Sequence, residues 1–283
     1  MELAKYVKIE DIILHISNYI IIDVRTPNEY NQAHIPLAYN IPLFTNEERA
    51  EIGTVYKNNS TKKATLIGLD YFGKRLTKYI EELVSILKTH PQNKKEILIH
   101  CWRGGMRSAA IAWLFKFYGY EIIVLQGGYK AFRQWCLLQF ELTYPFYIIG
   151  GFTGSGKTSI IQHLIEKSIP AIDLEGLAQH RGSTFGGLGM PQQPRTEMFE
   201  NLLALSLFQN NNLRIQQGLK YIFLEDESQR IGQVLIPTTI FKNLRNSRLL
   251  FIHIPFEKRL QAIVYEYGKF SISELIMASS RLE

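Results

Sequence analysis

The strongest constraint on the fold is segment 146–158, where an apolar run passes directly into a glycine-rich loop. From Gly151 to Thr158 this loop reads G-x-x-x-x-G-K-T, and apolar residues at helical spacing follow over 159–167. The motif binds phosphate where it joins a strand to a helix, because successive backbone N–H groups surround the anion. We therefore predict an α/β domain whose phosphate contacts come from one loop: Gly151, Thr153, Gly154, Ser155, Gly156, Lys157 and Thr158.

Acidic residues follow two further apolar runs of the same half. Asp173 comes after the first run, and Glu225 and Asp226 come after the run 221–224. Carboxylates at strand ends are typical ligands of a magnesium ion beside a phosphate. We treat these three as possible metal or substrate ligands, with Thr158 as a further magnesium ligand.

A second glycine loop surrounds Cys101. The apolar run 97–99 leads to the cysteine, and a helical pattern follows over 109–117. Backbone N–H groups, a helix N-terminus and two arginines would favour an anion there, so we expect the pKa of Cys101 to lie below that of a free thiol. The predicted anion cradle comprises Trp102, Arg103, Gly104, Gly105, Met106, Arg107 and Ser108. The alternative is a buried structural cysteine beside a turn.

Strands alternating with helices predict an open parallel sheet in the first half. We expect a strand over 19–24, followed by an ion pair between Asp23 and Arg25 that braces a loop. A polar surface excursion is expected over 45–63 and one long helix over 66–89.

The totals are those of an ordinary globular protein. The 283 residues suggest two domains, which we place at 1–142 and 143–283. Two cysteines form no disulfide framework, and no apolar run suits a leader or a membrane span, so we expect a cytoplasmic protein with no membrane partner. The net charge of +6 suits an acidic partner such as RNA, a phosphate ester or anionic lipid.

The order of these motifs resembles the bacterial tRNA 2-selenouridine synthases. The resemblance rests on eight motifs, at residues 23–25, 33–36, 101–108, 127–133, 154–158, 173–178, 180–183 and 225–228. It implies an N-terminal rhodanese-like parallel sheet domain followed by a P-loop NTPase-like α/β domain. It also implies a helical region that normally continues well beyond residue 271, so the C-terminal helices are expected to be truncated here.

The resemblance further implies an activity. Such enzymes replace the sulfur of wobble 2-thiouridine in tRNA with selenium from selenophosphate, through S-geranyl-2-thiouridine formed with geranyl diphosphate. tRNA is then a partner, and selenophosphate synthetase is a possible supplier of the selenium donor. His180 and Arg181 become possible contacts to tRNA or diphosphate, with Lys130 and Arg133 as further RNA candidates. No resident cofactor is implied beyond a possible Mg²⁺.

One feature of the thiol loop leaves other functions open. Cys101 and Arg107 form C-x5-R, one residue longer than the C-x4-R loop of ordinary rhodaneses, and this spacing also serves cysteine phosphatases. The alternatives are therefore a cysteine phosphatase or sulfurtransferase fused to a kinase-like domain, and a non-catalytic, nucleotide-responsive thiol module.

Overall fold

The computed structural model describes residues 4–58, 60–90, 96–183 and 185–279. The chain divides into two compact units, Met1–Trp135 and Cys136–Glu283, and each contains one of the two glycine loops. Residues 280–283, in the segment that resembles the start of a longer helical region, lie outside the described part.

The first unit is built on a parallel five-stranded sheet. Its strands are β1 (Lys5–Val7), β2 (Tyr19–Asp23), β3 (Tyr39–Asn40), β4 (Glu96–His100) and β5 (Ile122–Leu125), in the order β1-β5-β4-β2-β3. Its helices are α1 (Ile9–Ile12), a 3-10 helix (Ile13–Asn18), α2 (Pro27–Gln32), α3 (Asn46–Asn58), α4 (Thr61–Gly73), α5 (Leu76–Lys88), α6 (Met106–Phe117) and α7 (Gly128–Gln139), of which α7 continues into the second unit.

The central strands of this sheet are apolar because helices cover both faces of a parallel sheet. Ile21 and Ile22 of β2 and Ile99 of β4 are fully buried. The register pairs Asp23 with His100, so both strands end at the same edge of the sheet. Cys101 follows β4 directly and is therefore at the carboxyl edge, where open α/β sheets bind ligands.

Of the two expectations for residues 45–89, the first is confirmed for exposure and the second is wrong. The polar segment lies largely at the surface, but it is helical, because α3 begins at Asn46 with a capping box: the Glu48 N–H donates to Thr45 Oγ1 at 3.2 Å, and the Thr45 N–H donates to Glu48 Oε2 at 2.9 Å. The long helix is two helices, α4 and α5. The chain leaves helical geometry at Arg75, whose guanidinium forms an ion pair with Glu48.

The second unit has a parallel four-stranded sheet and a short antiparallel hairpin. The sheet has the order β11-β6-β8-β7, and its strands are β6 (Phe146–Gly151), β7 (Ala171–Ile172), β8 (Ile222–Glu225) and β11 (Arg248–Ile252). The hairpin pairs β9 (Arg230–Ile231) with β10 (Val234–Leu235). The helices are α8 (Lys157–Glu166), α9 (Leu174–Ala178), α10 (Thr196–Gln216), α11 (Thr238–Arg245), α12 (Phe256–Tyr267) and α13 (Ile272–Ser279).

Strand β6 is central and carries the second glycine loop at its carboxyl end, between β11 and β8. The edge strand β11 is less covered than its neighbours, because Leu249, Leu250 and Phe251 are each about half exposed. Among the described residues, no helix combines the length and the apolar character that a membrane crossing requires.

Candidate functional site

The Cys101 sulfur lies at the base of the loop between β4 and α6. The Gly105 N–H donates to Cys101 Sγ at 3.3 Å, and the Ser108 hydroxyl oxygen lies 3.4 Å from the same sulfur. Both Cys101 and Ser108 are buried. The Gly105 N–H is therefore a donor to the sulfur, and the Ser108 hydroxyl, which also donates to the Gly105 carbonyl at 3.0 Å, lies within hydrogen-bond reach of it.

The pKa of Cys101 is lowered, as expected from the sequence. Burial raises this pKa, but hydrogen bonds from the Ser108 side chain and backbone, a backbone hydrogen bond from Arg103 and the charge of Arg107 lower it by more. Because the thiolate is the nucleophilic form of cysteine, the loop favours nucleophilic chemistry at this sulfur.

The first turn of α7 anchors the thiol loop. The Tyr129 N–H donates to the Cys101 carbonyl at 2.9 Å, and the Lys130 N–H donates to the Trp102 carbonyl at 3.0 Å. Gly128 has a φ of +58°, and a Cβ there would overlap the Cys101 carbonyl oxygen. Only glycine permits this approach, because it combines a positive φ with the absence of a side chain.

A buried ion pair between Asp23 and Arg25 braces the segment that follows β2, which confirms the bracing role predicted for these two residues. Arg25 donates from Nη2 to Asp23 Oδ2 at 2.6 Å and to the Ala33 carbonyl at 2.7 Å. Its guanidinium also lies 3.9 Å from the centre of the Tyr129 ring. The pair thus links the end of β2 to the helix that anchors the thiol loop.

The remaining cradle residues differ in exposure. Trp102, Arg103 and Met106 are exposed to solvent. Arg107 is half-buried and donates from Nη1 to Glu29 Oε2 at 2.8 Å. Glu29 was not singled out from the sequence, although the T-x-x-E spacing from Thr26 marks it as a capping-box residue of α2.

The loop that is predicted to bind phosphate connects β6 to α8, in the strand–loop–helix context that its motif requires. It borders a cavity of about 450 Å³, which all seven predicted residues line. Lys157 Nζ donates to the Gly151 carbonyl at 2.8 Å, and Thr158 Oγ1 donates to Glu175 Oε2 at 2.8 Å. Lys157 and Thr158 therefore form hydrogen bonds to oxygen atoms of the protein. In the motif, these two side chains contact a phosphate and a metal ion instead.

Carboxylates are concentrated beside this loop. Burial, followed by repulsion from Asp173, raises the pKa of Glu225 to about 9, and its Oε1 accepts from the Glu175 N–H at 2.8 Å. Burial also raises the pKa values of Glu175 and Glu227, which interact with each other. Glu175 was not among the predicted site residues, although it is the second acid after Asp173 and lies in the 173–178 motif of the resemblance.

The other predicted acids have structural partners. Asp173 caps α9 by accepting from the Gly176 N–H at 2.7 Å. Asp226 forms an ion pair with Arg245, although it also lines the phosphate-loop cavity.

A magnesium ion suits this site only if phosphate oxygens complete its coordination. Within the described ranges, no group of three or more His, Cys, Asp or Glu residues is placed to hold a metal alone. The buried Glu225 Oε2 accepts no hydrogen bond from any described residue. Thr158 and its partner Glu175 offer oxygen ligands, and magnesium is typically bound by one or two such protein oxygens together with phosphate oxygens.

His180 and Arg181 lie in different surroundings. His180 is buried, and a Cβ at Gly186 would come within 2.8 Å of its ring. Arg181 lines the phosphate-loop cavity and forms an ion pair with Glu266 at 3.2 Å. Arg181 is therefore the one of this pair that is placed to meet a ligand.

Comparison with known proteins agrees with this arrangement. The family model described as the tRNA 2-selenouridine synthase AAA domain matches residues 144–281, and that of the rhodanese-like domain matches residues 9–134. These matches confirm the predicted fold class.

Curated relatives match across both units. A tRNA 2-selenouridine synthase of Nitrosomonas eutropha is 34% identical over 253 residues, which cover 87% of this chain and 62% of that protein. The synthase of Sulfurovum sp. is 37% identical, covering 89% and 67%, and that of Hydrogenovibrio crunogenus is 36% identical, covering 89% and 69%. This chain spans about two thirds of the length of these relatives. By these matches, the chain belongs to the tRNA 2-selenouridine synthase family.

Proposed function

We propose that this protein is a tRNA-modifying transferase that converts wobble 2-thiouridine to 2-selenouridine. Selenophosphate supplies the selenium, and geranyl diphosphate first alkylates the sulfur. The observation that carries the proposal is the Cys101 sulfur, which is held by the Gly105 N–H and the Ser108 hydroxyl with a lowered pKa. A phosphate-binding loop in the same chain supplies the second site that this two-step chemistry needs.

The first step is an alkylation. The sulfur of 2-thiouridine attacks C1 of geranyl diphosphate, a C–S bond forms, the C–O bond breaks, and diphosphate leaves while the base loses its N3 proton. The phosphate-binding loop suits the departing diphosphate, because Lys157 and the backbone N–H groups of the loop would stabilise its growing charge.

The second step is a substitution. Water attacks the phosphorus of selenophosphate, so that a P–O bond forms, the P–Se bond breaks, and phosphate and hydroselenide are released. Hydroselenide adds to C2 of the base, geranylthiolate leaves as the C–S bond breaks, and the proton on selenium moves to N3. In this proposal the thiol loop receives the selenophosphate anion, and Cys101 takes part in delivering its selenium.

The remaining components follow from these steps. Mg²⁺ would be held by Thr158 and Glu175 together with the diphosphate, whose charge it would neutralise. The proposed tRNA contacts are Arg181, Lys130 and Arg133. Selenophosphate synthetase would supply the selenium donor. Because its substrate is tRNA, we propose that the enzyme acts in the cytoplasm.

The test uses tRNA that carries wobble 2-thiouridine, incubated with the full chain, selenophosphate and geranyl diphosphate. Nucleoside mass spectrometry then follows the 2-thio, S-geranyl and 2-seleno forms. We expect Cys101→Ala to accumulate S-geranyl-2-thiouridine, and Lys157→Ala to make neither product from 2-thio-tRNA while still selenating tRNA that is already geranylated. Cys136→Ala removes the other buried thiol and serves as the matched control.

Two results would contradict this assignment. Loss of selenation on geranylated tRNA in Lys157→Ala would show that the two loops do not divide the steps in this way. Turnover of an aryl phosphate or of thiosulfate without tRNA, combined with no change in tRNA mass, would favour a phosphatase or a sulfurtransferase.

A further inference from the structure

A second cavity lies beside the thiol loop in the first unit, and the steps described above do not use it. Residues of α3, α4 and the start of α6 enclose about 780 Å³. Small-molecule sites typically have volumes of about 300–1,000 Å³. Met106 and Arg107, which complete the thiol loop, line this cavity, so a ligand inside it is adjacent to that loop.

The lining of the cavity is largely apolar. Leu43, Phe44 and Phe72 are buried in its walls. Leu69 and Met106 also line it, yet they remain 55% and 71% exposed. Large apolar side chains that stay exposed around a concave surface mark a binding site for an apolar group.

Two glycines help to keep this space open. Gly53 of α3 and Gly68 of α4 both line the cavity, and neither has a positive φ. Glycine inside a helix costs about 1 kcal/mol relative to alanine, and here the backbone does not require it. A Cβ at Gly53 would meet only the Arg49 guanidinium, at 2.9 Å, and a Cβ at Gly68 would lie 3.4 Å from the Phe44 ring. The missing side chains therefore enlarge the cavity.

The charged side chains that line the cavity are basic. They are Arg49, Lys57 and Arg107, of which Arg107 is paired with Glu29, and no acidic residue is among the described lining residues. A purely apolar ligand needs no cations, whereas a hydrocarbon chain attached to a nucleotide or a diphosphate matches both the apolar walls and the positive charge.

We propose that this cavity binds the hydrocarbon chain of the geranyl group. The inference rests on the proposed function, in which this chain is bonded to the wobble sulfur when selenium replaces that sulfur at the thiol loop. With the chain in the cavity, the base is held next to the loop and geranylthiolate departs along the apolar walls. Both S-geranylated tRNA and free geranyl diphosphate contain this chain, so the test must separate these two sources.

Binding measurements test the cavity without requiring turnover. Equilibrium dialysis of the full chain uses S-geranyl-2-thiouridine 5′-monophosphate, its S-methyl counterpart and geranyl diphosphate as probes. Gly53→Leu fills the cavity from α3. Gly73→Leu is the matched control, because Gly73 does not line the cavity and a Cβ there meets no atom within 4 Å.

We expect Gly53→Leu to weaken binding of the S-geranyl nucleotide at least about tenfold, or ~1.4 kcal/mol, with no change for the S-methyl nucleotide. Gly53→Ala should give a smaller loss, and thermal melting verifies that each variant is folded. Loss of geranyl diphosphate binding in Gly53→Leu, with retention in Lys157→Ala, would show that the free diphosphate also uses the cavity. Retention of geranyl diphosphate binding in Gly53→Leu, with loss in Lys157→Ala, would show that the cavity binds only the geranyl group that is attached to RNA.

Equal affinity of Gly53→Leu and the unsubstituted protein for the S-geranyl nucleotide would overturn the proposal. So would failure of the unsubstituted protein to prefer S-geranyl over S-methyl. These results are distinguishable from failure of the proposed function, which would instead show normal S-geranyl binding and no 2-selenouridine.

Discussion

At the scale of single residues, the hydroxyl of Ser108 has the clearest chemical consequence. Because it stabilises the Cys101 thiolate, Ser108→Ala should slow alkylation of Cys101 at neutral pH about tenfold, as expected for a lost hydrogen bond to a charged group. Iodoacetamide labelling across pH, in a Cys136→Ala background, measures this rate. Ser108→Thr keeps the hydroxyl and should label at close to the original rate; equal slowing in both variants would contradict the role of the hydroxyl.

The raised pKa of Glu225 predicts how stability depends on pH. With a folded-state pKa of about 9 and an ordinary value of 4.5, Glu225 keeps its proton in the fold and loses it on unfolding between these values. The folded state then binds more protons than the unfolded state, so the free energy of unfolding falls as pH rises through this range.

Glu225→Gln removes this proton exchange. We expect the fall in the free energy of unfolding between pH 6 and pH 8.5 to become smaller, as measured by urea denaturation followed by circular dichroism. Exposed Glu257→Gln is the control and should leave the pH dependence unchanged. If the free energy of unfolding of Glu225→Gln falls with pH as steeply as that of the unsubstituted protein, the Glu225 carboxyl is already ionised in the folded state.

At the scale of elements, the start of α3 depends on a local signal. Thr45→Ala removes the side-chain acceptor of the capping box and should lower the free energy of unfolding by about 1 kcal/mol. Chemical denaturation of Thr45→Ala and Thr45→Ser measures the effect. Serine keeps the acceptor, so equal losses in the two variants would count against capping as the cause.

The elements also show which parts of the fold were predictable. The position of both glycine loops between a strand and a helix was predicted correctly, because an apolar run, glycines and a helical pattern follow each other within a few residues. The T-x-x-E signal at Thr45 was present in the sequence but was outweighed by the polar composition of segment 45–63. The break between α4 and α5 was not readable locally, because Arg75 leaves helical geometry where it pairs with Glu48, on another helix.

The same distinction applies to the candidate site. Cys101 and the phosphate-binding loop follow from short motifs, and their positions after β4 and β6 follow from strand order. The partners of these residues do not. Glu29 meets Arg107 across 78 positions of sequence, and Glu175 meets Thr158 across 17, so only the folded chain brings them together.

At the scale of the whole molecule, the net charge of +6 predicts how RNA binding responds to salt. If tRNA is the substrate, its affinity should fall at least about a hundredfold between about 50 and about 200 mM salt, because bound counterions are released from the phosphates. Filter binding at several salt concentrations measures the slope. The affinity for the free 2-thiouridine nucleoside, which has no phosphate, should stay constant; a salt-independent tRNA affinity would exclude an electrostatic RNA surface.

The exposed side chains of β11 also affect how the purified protein behaves. Among the described residues, β11 pairs only with β6, and an edge strand with half-exposed Leu249, Leu250 and Phe251 is a template for pairing with a second molecule. Such strands make concentrated solutions prone to association, and they favour it further when added salt screens the positive charge. We therefore expect the purified protein to remain free of association longest at low protein concentration and modest ionic strength.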